Sequence, residues 1–274
     1  GGCIFCNPRG SGTGAHAQGL SIAQQIEAGK TYLTKRYRAK KFIVYFQSYT
    51  NTYAPVDVLA GLYDDALKDP SIVGLAIGTR PDCVDEAVLE LLSSHARRRM
   101  VWIEYGLQSM HDETLNRINR GHNFQSFASA VAITRGRGIL ICAHMILGLP
   151  GENRDQMLQT ARMLATVGID GVKLHLLYVV RGTPLEKQYR LGQYTCLTQA
   201  EYVSLVCDVL AQLPPKMVIH RLTGDPHKRE LVAPTWSLKK NETIDMIKET
   251  LHRQNRRQGD QFTKKERVTP CGSL

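Results

Sequence analysis

Short apolar runs alternate with longer amphipathic stretches along most of the chain. The stretches, such as VDVLAGLYDDALKD and QAEYVSLVCDVLAQL, repeat apolar residues at helical spacing. Near-continuous apolar strands between helices are typical of a parallel sheet covered by helices. Six such units predict an α/β fold, a partial or near-complete parallel (β/α) barrel. The six apolar runs are FIVYF (42–46), IVGLAI (72–77), VWIEY (101–105), ILICAHMIL (139–147), VKLHLL (172–177) and MVIHRL (217–222).

Polar side chains interrupt three of these runs at alternate positions. Successive side chains of a strand point to opposite faces. Cys142 and His144 therefore share a face of one strand, and Lys173 and His175 share a face of the next. Glu104 shares a face with a tryptophan in the run 101–105. The interior of an ordinary barrel is filled by branched apolar residues. The pattern therefore predicts an interior that holds a ligand or water.

The segments that follow the runs are rich in glycine and small polar residues. Examples are QSYTNTYAP (47–55), GTRPDC (78–83), GLPGE (148–152) and TGDPHK (223–228). Barrel enzymes build their sites from the loops at the carboxyl ends of their strands. The site is therefore expected at that end.

Charge and cysteine content narrow the class of protein. The chain has 274 residues and a formal net charge of +10, with basic runs at 30–41, at 97–99 and towards the carboxyl terminus. Such charge favours a polyanionic partner, with nucleic acid the leading class. Seven cysteines, an odd number, argue against a secreted disulfide scaffold and for thiols or metal ligands. With neither a membrane span nor a leader in the sequence, we expect a cytoplasmic protein.

Two cysteines open the chain in the sequence GGCIFC, followed by a glycine-rich loop. Taken alone, this spacing fits a dithiol redox pair, half of a zinc site, a structural pair or part of a larger metal site. The other motifs of the chain have to decide between them.

The ordered set of motifs resembles the radical S-adenosylmethionine (SAM) superfamily. The motifs are GGCIFC, EYGLQS (104–109), INRGH (118–122) and HMILGLPGE (144–152). They are closest to the branch that holds the Elongator catalytic subunit and the oxygen-independent coproporphyrinogen oxidases. YFQSYTNTYAP, GTRPDC, VKLHLL and RGTPLE resemble a bacterial subfamily linked to modification of the tRNA wobble uridine. The resemblance implies a radical SAM barrel over residues 1–236 and a basic helical extension over 237–274.

A [4Fe–4S] cluster and SAM are the cofactors that this resemblance implies. In the superfamily three cysteines bind the cluster, and SAM chelates the fourth iron. Cys3 and Cys6 correspond to the second and third ligands. The first ligand and the first barrel strand have no counterpart here, so we expect both upstream in a longer chain.

The resemblance also implies which residues hold SAM. Ser48, Tyr49 and Thr50 stand where the amino group binds, and Glu104 faces the ribose or amino group unless it is a structural carboxylate. Arg117 or Arg120 pairs with the SAM carboxylate. Gln108 and Ser109 follow Glu104 in the same loop. The adenine is expected to lie against five further residues, and four basic side chains are candidates for the substrate side. These are Phe5, Ile146, Gly148 and Leu177–Tyr178 for the adenine, and His144, Lys173, His175 and His220 for the substrate.

The implied function is reductive cleavage of SAM to a 5′-deoxyadenosyl radical that modifies the carbon-5 side chain of the tRNA wobble uridine. The expected partners are tRNA and a reductase that donates electrons, without a membrane. Two alternatives stay open at this point. One is a radical SAM enzyme that acts on a small metabolite, and the other is a barrel that binds RNA without catalysis.

Overall fold

The computed structural model describes residues 2–6 and 19–263. These residues form two compact units. One unit comprises 19–106 and 132–141, and the other comprises 2–6, 107–131 and 142–263. The long strands at 100–108 and 140–147 each contribute residues to both units.

The unit 19–106 and 132–141 begins with a helix and then alternates strands with helices. Its strands pair in parallel in the order β1, β2, β3. Each apolar run predicted here lies within a strand. The elements are α1 (Ile22–Tyr37), β1 (Phe42–Phe46), α2 (Val56–Leu67), β2 (Ile72–Thr79), a 3₁₀ turn (Pro81–Cys83), α3 (Glu86–Ala96) and β3 (Met100–Gln108).

The other unit holds most of the helices. Its strands β4, β5 and β7 pair in parallel in that order, and β6 pairs antiparallel with β8. The elements are α4 (Asp112–Arg117), α5 (Phe124–Thr134), β4 (Leu140–Leu147), α6 (Arg154–Thr166), β5 (Gly171–Leu176), β6 (Val179–Val180), α7 (Pro184–Arg190), α8 (Gln199–Gln212), β7 (Val218–Arg221), β8 (Leu231–Ala233), a 3₁₀ turn (Thr235–Leu238) and α9 (Lys240–Arg253).

Local sequence signals define where the helices begin. Asn153 caps α6 and Thr198 caps α8, and in both helices a Gln or Glu three residues later completes a capping box. Pro184 lies in the first turn of α7, where its missing N–H costs nothing. The predicted apolar face of α8 is confirmed, since Tyr202, Leu205, Val206 and Val209 are all buried.

The basic carboxyl-terminal extension contains α9, which packs against α8. Thr243 and Ile247 are its buried residues, and the Cys207 thiol of α8 donates a hydrogen bond to the Ile247 carbonyl. Cys271 and the rest of the tail after 263 lie outside the described residues. Among the described residues, every helix is too short or too polar to cross a membrane.

Candidate functional site: a cysteine corner beside an apolar pocket wall

Cys3 and Cys6 face each other across a tight turn. The Cys6 amide donates to the Cys3 carbonyl at 3.0 Å. Cys3 is buried, while Cys6 is exposed. A hydrogen bond between the two thiols raises the pKa of Cys6, and the nearby Arg120 cation opposes that rise. The two thiols are therefore close enough to interact, which two ligands of one metal centre require.

Backbone hydrogen bonds fix this turn to the rest of its unit. The Ile4 amide donates to the Ile118 carbonyl at 3.0 Å, and the Leu185 amide donates to the Ile4 carbonyl at 2.9 Å. Asn119 donates from its side-chain amide to the Gly2 carbonyl at 2.8 Å. The cysteine turn is thus held by main-chain contacts and does not depend on its thiols for position.

Three of the predicted adenine contacts belong to one apolar cluster. Ile146 and Leu177 are among its buried members, and Phe5 packs against it. The Leu177 amide donates to the Leu147 carbonyl at 3.0 Å, which continues the β4–β5 pairing beyond the strand ends. The other members are Leu115, Ile118, Leu149, Val179, Leu185, Tyr194 and Ala233, with Ile4, Cys196 and Val232 packed against them.

Arg120 brings a permanent positive charge to the cysteine turn. Its Nη1 lies 3.7 Å from the Cys3 sulfur, within hydrogen-bonding distance for sulfur. Its Nε donates to Nε2 of His122 at 2.9 Å, so the proton of a neutral His122 lies on Nδ1, 3.1 Å from the Asn123 carbonyl. Asn119 enters the left-handed region at φ 54° just before Arg120. The INRGH segment therefore places a cation against a predicted cluster ligand.

Arg117, the other predicted carboxylate ligand, holds the GLPGE loop. Its Nη1 donates to the Pro150 carbonyl at 3.1 Å, and its Nη2 donates to Glu113 at 2.7 Å. Gly151 has no side chain to meet this guanidinium, since a Cβ there would lie 1.4 Å from Nη1. The geometry therefore favours Arg120 over Arg117 as the arginine that faces a ligand at the cysteine turn.

Ser109 ties the loop after β3 to the same GLPGE segment. Its hydroxyl donates to the Glu152 carboxylate and accepts from the His111 amide at 3.0 Å. Burial raises the pKa of Glu152, and the Ser109 hydrogen bond opposes that rise. Gln108 is buried and has φ 77°, an uncommon conformation for a residue with a side chain. Ser109 thus fastens a strained turn that carries Gln108.

Gly148 lies at the end of β4 with φ 88°, where side chains are strained. The Tyr194 hydroxyl donates to its carbonyl at 2.9 Å, and a Cβ would lie 3.1 Å from Leu197. The ring of Tyr178 packs over Gly224 in the TGDPHK segment. The predicted adenine residues after β4 and β5 therefore have well-defined positions.

The loop that carries Ser48, Tyr49 and Thr50 belongs to the other unit. Tyr49 is 71% exposed, at φ 64°. The Asn51 side chain pins the loop by donating to the Phe46 carbonyl at 3.0 Å and to the Gly78 carbonyl at 2.9 Å. The loop therefore stands at the carboxyl ends of β1 and β2, as predicted.

Glu104 lies on β3 of the same unit and is 2% exposed. Its register partner on β2 is Gly78, which begins the GTRPDC segment. Glu104 is in the middle of β3, which continues to Gln108, and a buried carboxylate there is costly unless it is paired or hydrogen-bonded. Glu104 has interactions within the protein, so both a ligand role and a structural role agree with this position.

The polar face predicted for the neighbouring strands is present. His144 pairs in register with Lys173 and Ile146 with His175, so these side chains share a face of β4 and β5. The rings of His144 and His175 lie 5.3 Å apart. Lys173 is buried. This face can present two imidazoles and an ammonium group to a polar substrate.

Sequence reasoning missed the residues that position the named ones. Asn51 and Asn119 act through amide hydrogen bonds to main-chain carbonyls. His122 accepts from Arg120 through a ring nitrogen, and the Tyr194 hydroxyl donates to the Gly148 carbonyl. Asn119 and His122 lie inside the INRGH motif, so that motif could have indicated them. Tyr194 lies outside every motif, so nothing in the sequence indicated its role.

Two family models match this chain along most of its length. Residues 1–164 match the Radical SAM superfamily, and residues 169–253 match the Radical_SAM C-terminal domain. The chain belongs to the radical SAM superfamily. The superfamily uses a [4Fe–4S] cluster and SAM, which are therefore the cofactors of this enzyme.

Individual relatives agree with this assignment. The chain is 40% identical over 266 residues to YtqA of Bacillus subtilis, covering 97% of this chain and 83% of the relative. It is 32% identical over 156 residues to a tRNA uridine(34) acetyltransferase of Dehalococcoides mccartyi, covering 56% of this chain and 33% of that protein.

A solved structure shares the fold. The archaeal Methanocaldococcus infernus Elp3 with an N-terminal deletion superposes with a TM-score of 0.75 at 17% identity. The match covers 90% of this chain, which spans 62% of that structure. The predicted α/β fold of the radical SAM type, with six parallel strands and intervening helices, is confirmed.

The residues at the cysteine turn fit the cluster. Two convergent thiols beside a cation suit an iron–sulfur centre, whose thiolates carry negative charge. The apolar cluster with Phe5, Ile146 and Leu177 gives a flat aromatic group a surface to lie on. When bound there, a [4Fe–4S] cluster would supply one-electron redox chemistry.

Proposed function

We propose that this radical SAM enzyme cleaves SAM reductively to methionine and a 5′-deoxyadenosyl radical and uses that radical to modify the carbon-5 side chain of the tRNA wobble uridine. A reductase would donate the electron. The observation that carries the catalytic part is the cysteine turn, where Arg120 lies 3.7 Å from the Cys3 sulfur beside an apolar wall.

Individual residues have proposed roles in holding SAM. Arg120 offers a guanidinium to the SAM carboxylate, a match that is bidentate in geometry. Phe5, Ile146 and Leu177 pack against the adenine. Glu104 accepts hydrogen bonds from the ribose or the amino group.

The remaining predicted SAM residues act through the loops that carry them. Ser48, Tyr49 and Thr50 bind the amino group from a loop that Asn51 holds in place. Gln108 faces the ligand from a strained turn, while Ser109 and Arg117 keep the two neighbouring loops in position.

Two independent observations support tRNA as the substrate. One relative is a tRNA uridine(34) acetyltransferase, and the Elongator complex protein 3 of Saccharomyces cerevisiae is 26% identical over 211 residues. The net charge of +10 suits a partner with a phosphate backbone. The polar face of His144, Lys173 and His175 would then meet the uridine side chain.

Comparison of tRNA nucleosides tests this function. We expect tRNA from a strain that lacks the gene to accumulate a precursor of the modified wobble uridine, and the full-length gene to restore the product. Mass spectrometry of digested tRNA measures both. Identical nucleosides in the deletion strain and its parent would refute the proposed substrate and favour a small metabolite.

A further inference from the structure

Two basic connections meet at the amino-terminal edge of the strands in the unit 19–106 and 132–141. Residues 38–41 lead into β1, and residues 97–99 lead into β3. The strands are parallel, with Phe42 beside Ile72 and Gly74 beside Met100. Both connections therefore lie on one edge, two strand spacings apart, or about 10 Å. We call them, with the last turn of α1, the amino-end basic surface.

The cations of this surface are exposed and are not neutralised. Within the described part of the chain, none of them forms an ion pair with a carboxylate. Two neighbouring cations do form ion pairs, because Lys30 pairs with Asp69 and Lys68 pairs with Asp65. The surface comprises Lys35, Arg36, Arg38, Lys40, Lys41, Arg97, Arg98 and Arg99.

Aromatic rings accompany the charge. Tyr32 is 58% exposed and Tyr37 is 63% exposed, both on α1. Arg36 donates to the Tyr37 hydroxyl at 2.9 Å, and its guanidinium carbon lies 5.4 Å from the ring centroid. Exposed rings and guanidinium planes stack on bases and contact sugars, which suits a nucleic acid better than an acidic protein.

An open depression of about 460 Å³ indents the same edge. Two arginines line it beside apolar residues, so it can receive a phosphate group together with its sugar. The lining includes Pro70, Val73, Ala96, Met100, Arg98 and Arg99.

This surface lies far from the loops that carry the predicted site residues. Strand β2 has eight residues, and so the amino-end edge lies about 25 Å from the loop that follows β2. That distance is roughly two thirds of a helical turn of duplex. A single base and its neighbours cannot reach both the amino-end basic surface and the carboxyl-end loops. A base together with the double-helical stem behind it can.

We infer that the amino-end basic surface binds the phosphate backbone of a double-helical part of a folded RNA, while a base of the same RNA enters the carboxyl-end loops. The identity of that RNA as tRNA rests on the proposed function. The surface therefore supplies affinity through phosphates and leaves the choice of base to the site.

A charge-matched pair of triple variants tests this inference in the full-length protein. Lys41→Gln, Arg98→Gln and Arg99→Gln together remove three charges from the surface. Arg162→Gln, Lys187→Gln and Arg253→Gln remove three exposed charges from the other unit. Each protein is titrated with full-length tRNA and with the isolated anticodon hairpin at several salt concentrations.

We expect the surface variant to bind full-length tRNA about tenfold more weakly, with a shallower salt dependence, because three phosphate contacts are lost. Its affinity for the hairpin should fall as well, because the hairpin carries both the base and the stem behind it, and the control variant should match wild type with both RNAs. Iron content and SAM binding should not change in either variant.

Three outcomes would overturn the inference. Equal losses in the two variants would show a general charge effect, and unchanged tRNA binding by the surface variant would show that the surface does not contact RNA. Slower reduction by an acidic electron-donor protein with unchanged tRNA binding would assign the surface to that protein. Failure of the proposed function is distinct, since it appears as unchanged nucleosides in the deletion strain.

Discussion

At the scale of single residues, the contact between Arg120 and Cys3 has a consequence for the cluster. Arg120 is oriented by His122 and by the left-handed Asn119, so its charge is fixed at 3.7 Å from the sulfur. Charge and hydrogen bonds at the sulfur atoms are among the factors that set the potential of an iron–sulfur cluster. A cation favours the reduced cluster, which carries more negative charge.

Replacement of this cation should make the cluster harder to reduce. We expect Arg120→Gln to shift the reduction potential by about 60 mV to more negative values, which corresponds to about 1.4 kcal/mol for one electron. His122→Ala should give a smaller shift in the same direction, because the guanidinium stays but loses its orientation. Electron paramagnetic resonance during a redox titration measures both.

Arg117→Gln is the matched control, since that guanidinium holds the Pro150 carbonyl. A potential equal to wild type in Arg120→Gln, with normal iron content, would contradict the electrostatic role.

At the scale of elements, helix α1 shows what hydrophobic pattern can miss. The hydrophobic pattern predicted helices such as α2 and α8, because each buries an apolar stripe. In contrast, α1 has no buried residue, and the local signal for it is the capping box of Ser21 and Gln24 at its start. The strands β6 and β8 were missed for another reason, since two or three residues carry no periodicity and pair only through tertiary structure.

Asp69 links α1 to the connection before β2, and this link should depend on pH. The hydrogen bond from Lys30, followed by those from Ser71, lowers the pKa of Asp69 from 3.8 to about 2. A carboxyl group whose pKa is lower in the folded state stabilises the fold above its unfolded pKa. That stabilisation is therefore complete above about pH 4 and is lost as the pH falls towards 2.

We expect Asp69→Asn to lower the urea midpoint at pH 5 and to have a smaller effect at pH 2.5. Asp65→Asn, which removes only an exposed pair on α2, serves as the control and should change little at either pH. Circular dichroism follows the unfolding. An Asp69→Asn defect of equal size at both pH values would show that the carboxylate charge is not the cause.

At the scale of the whole molecule, the sequence predicted the fold class and the carboxyl-end placement of several site residues. The alternation of apolar runs with helices was sufficient to predict the fold class. The alternation of side-chain direction along each strand was sufficient to predict the polar face of His144 and Lys173. Neither pattern could tell Arg117 from Arg120. That choice depends on a left-handed residue and on a guanidinium seated over Gly151, which are three-dimensional facts.

Cysteine substitutions should separate iron binding from folding in the full-length, anaerobically reconstituted protein. We expect Cys3→Ala and Cys6→Ala each to lose iron and cluster absorbance with little change in urea midpoint, because backbone hydrogen bonds hold the turn. Cys207→Ala should do the reverse, keeping its iron while losing about 1 kcal/mol of stability, since that thiol is buried between α8 and α9. Normal iron content and absorbance in Cys3→Ala would mean that Cys3 does not ligate the cluster.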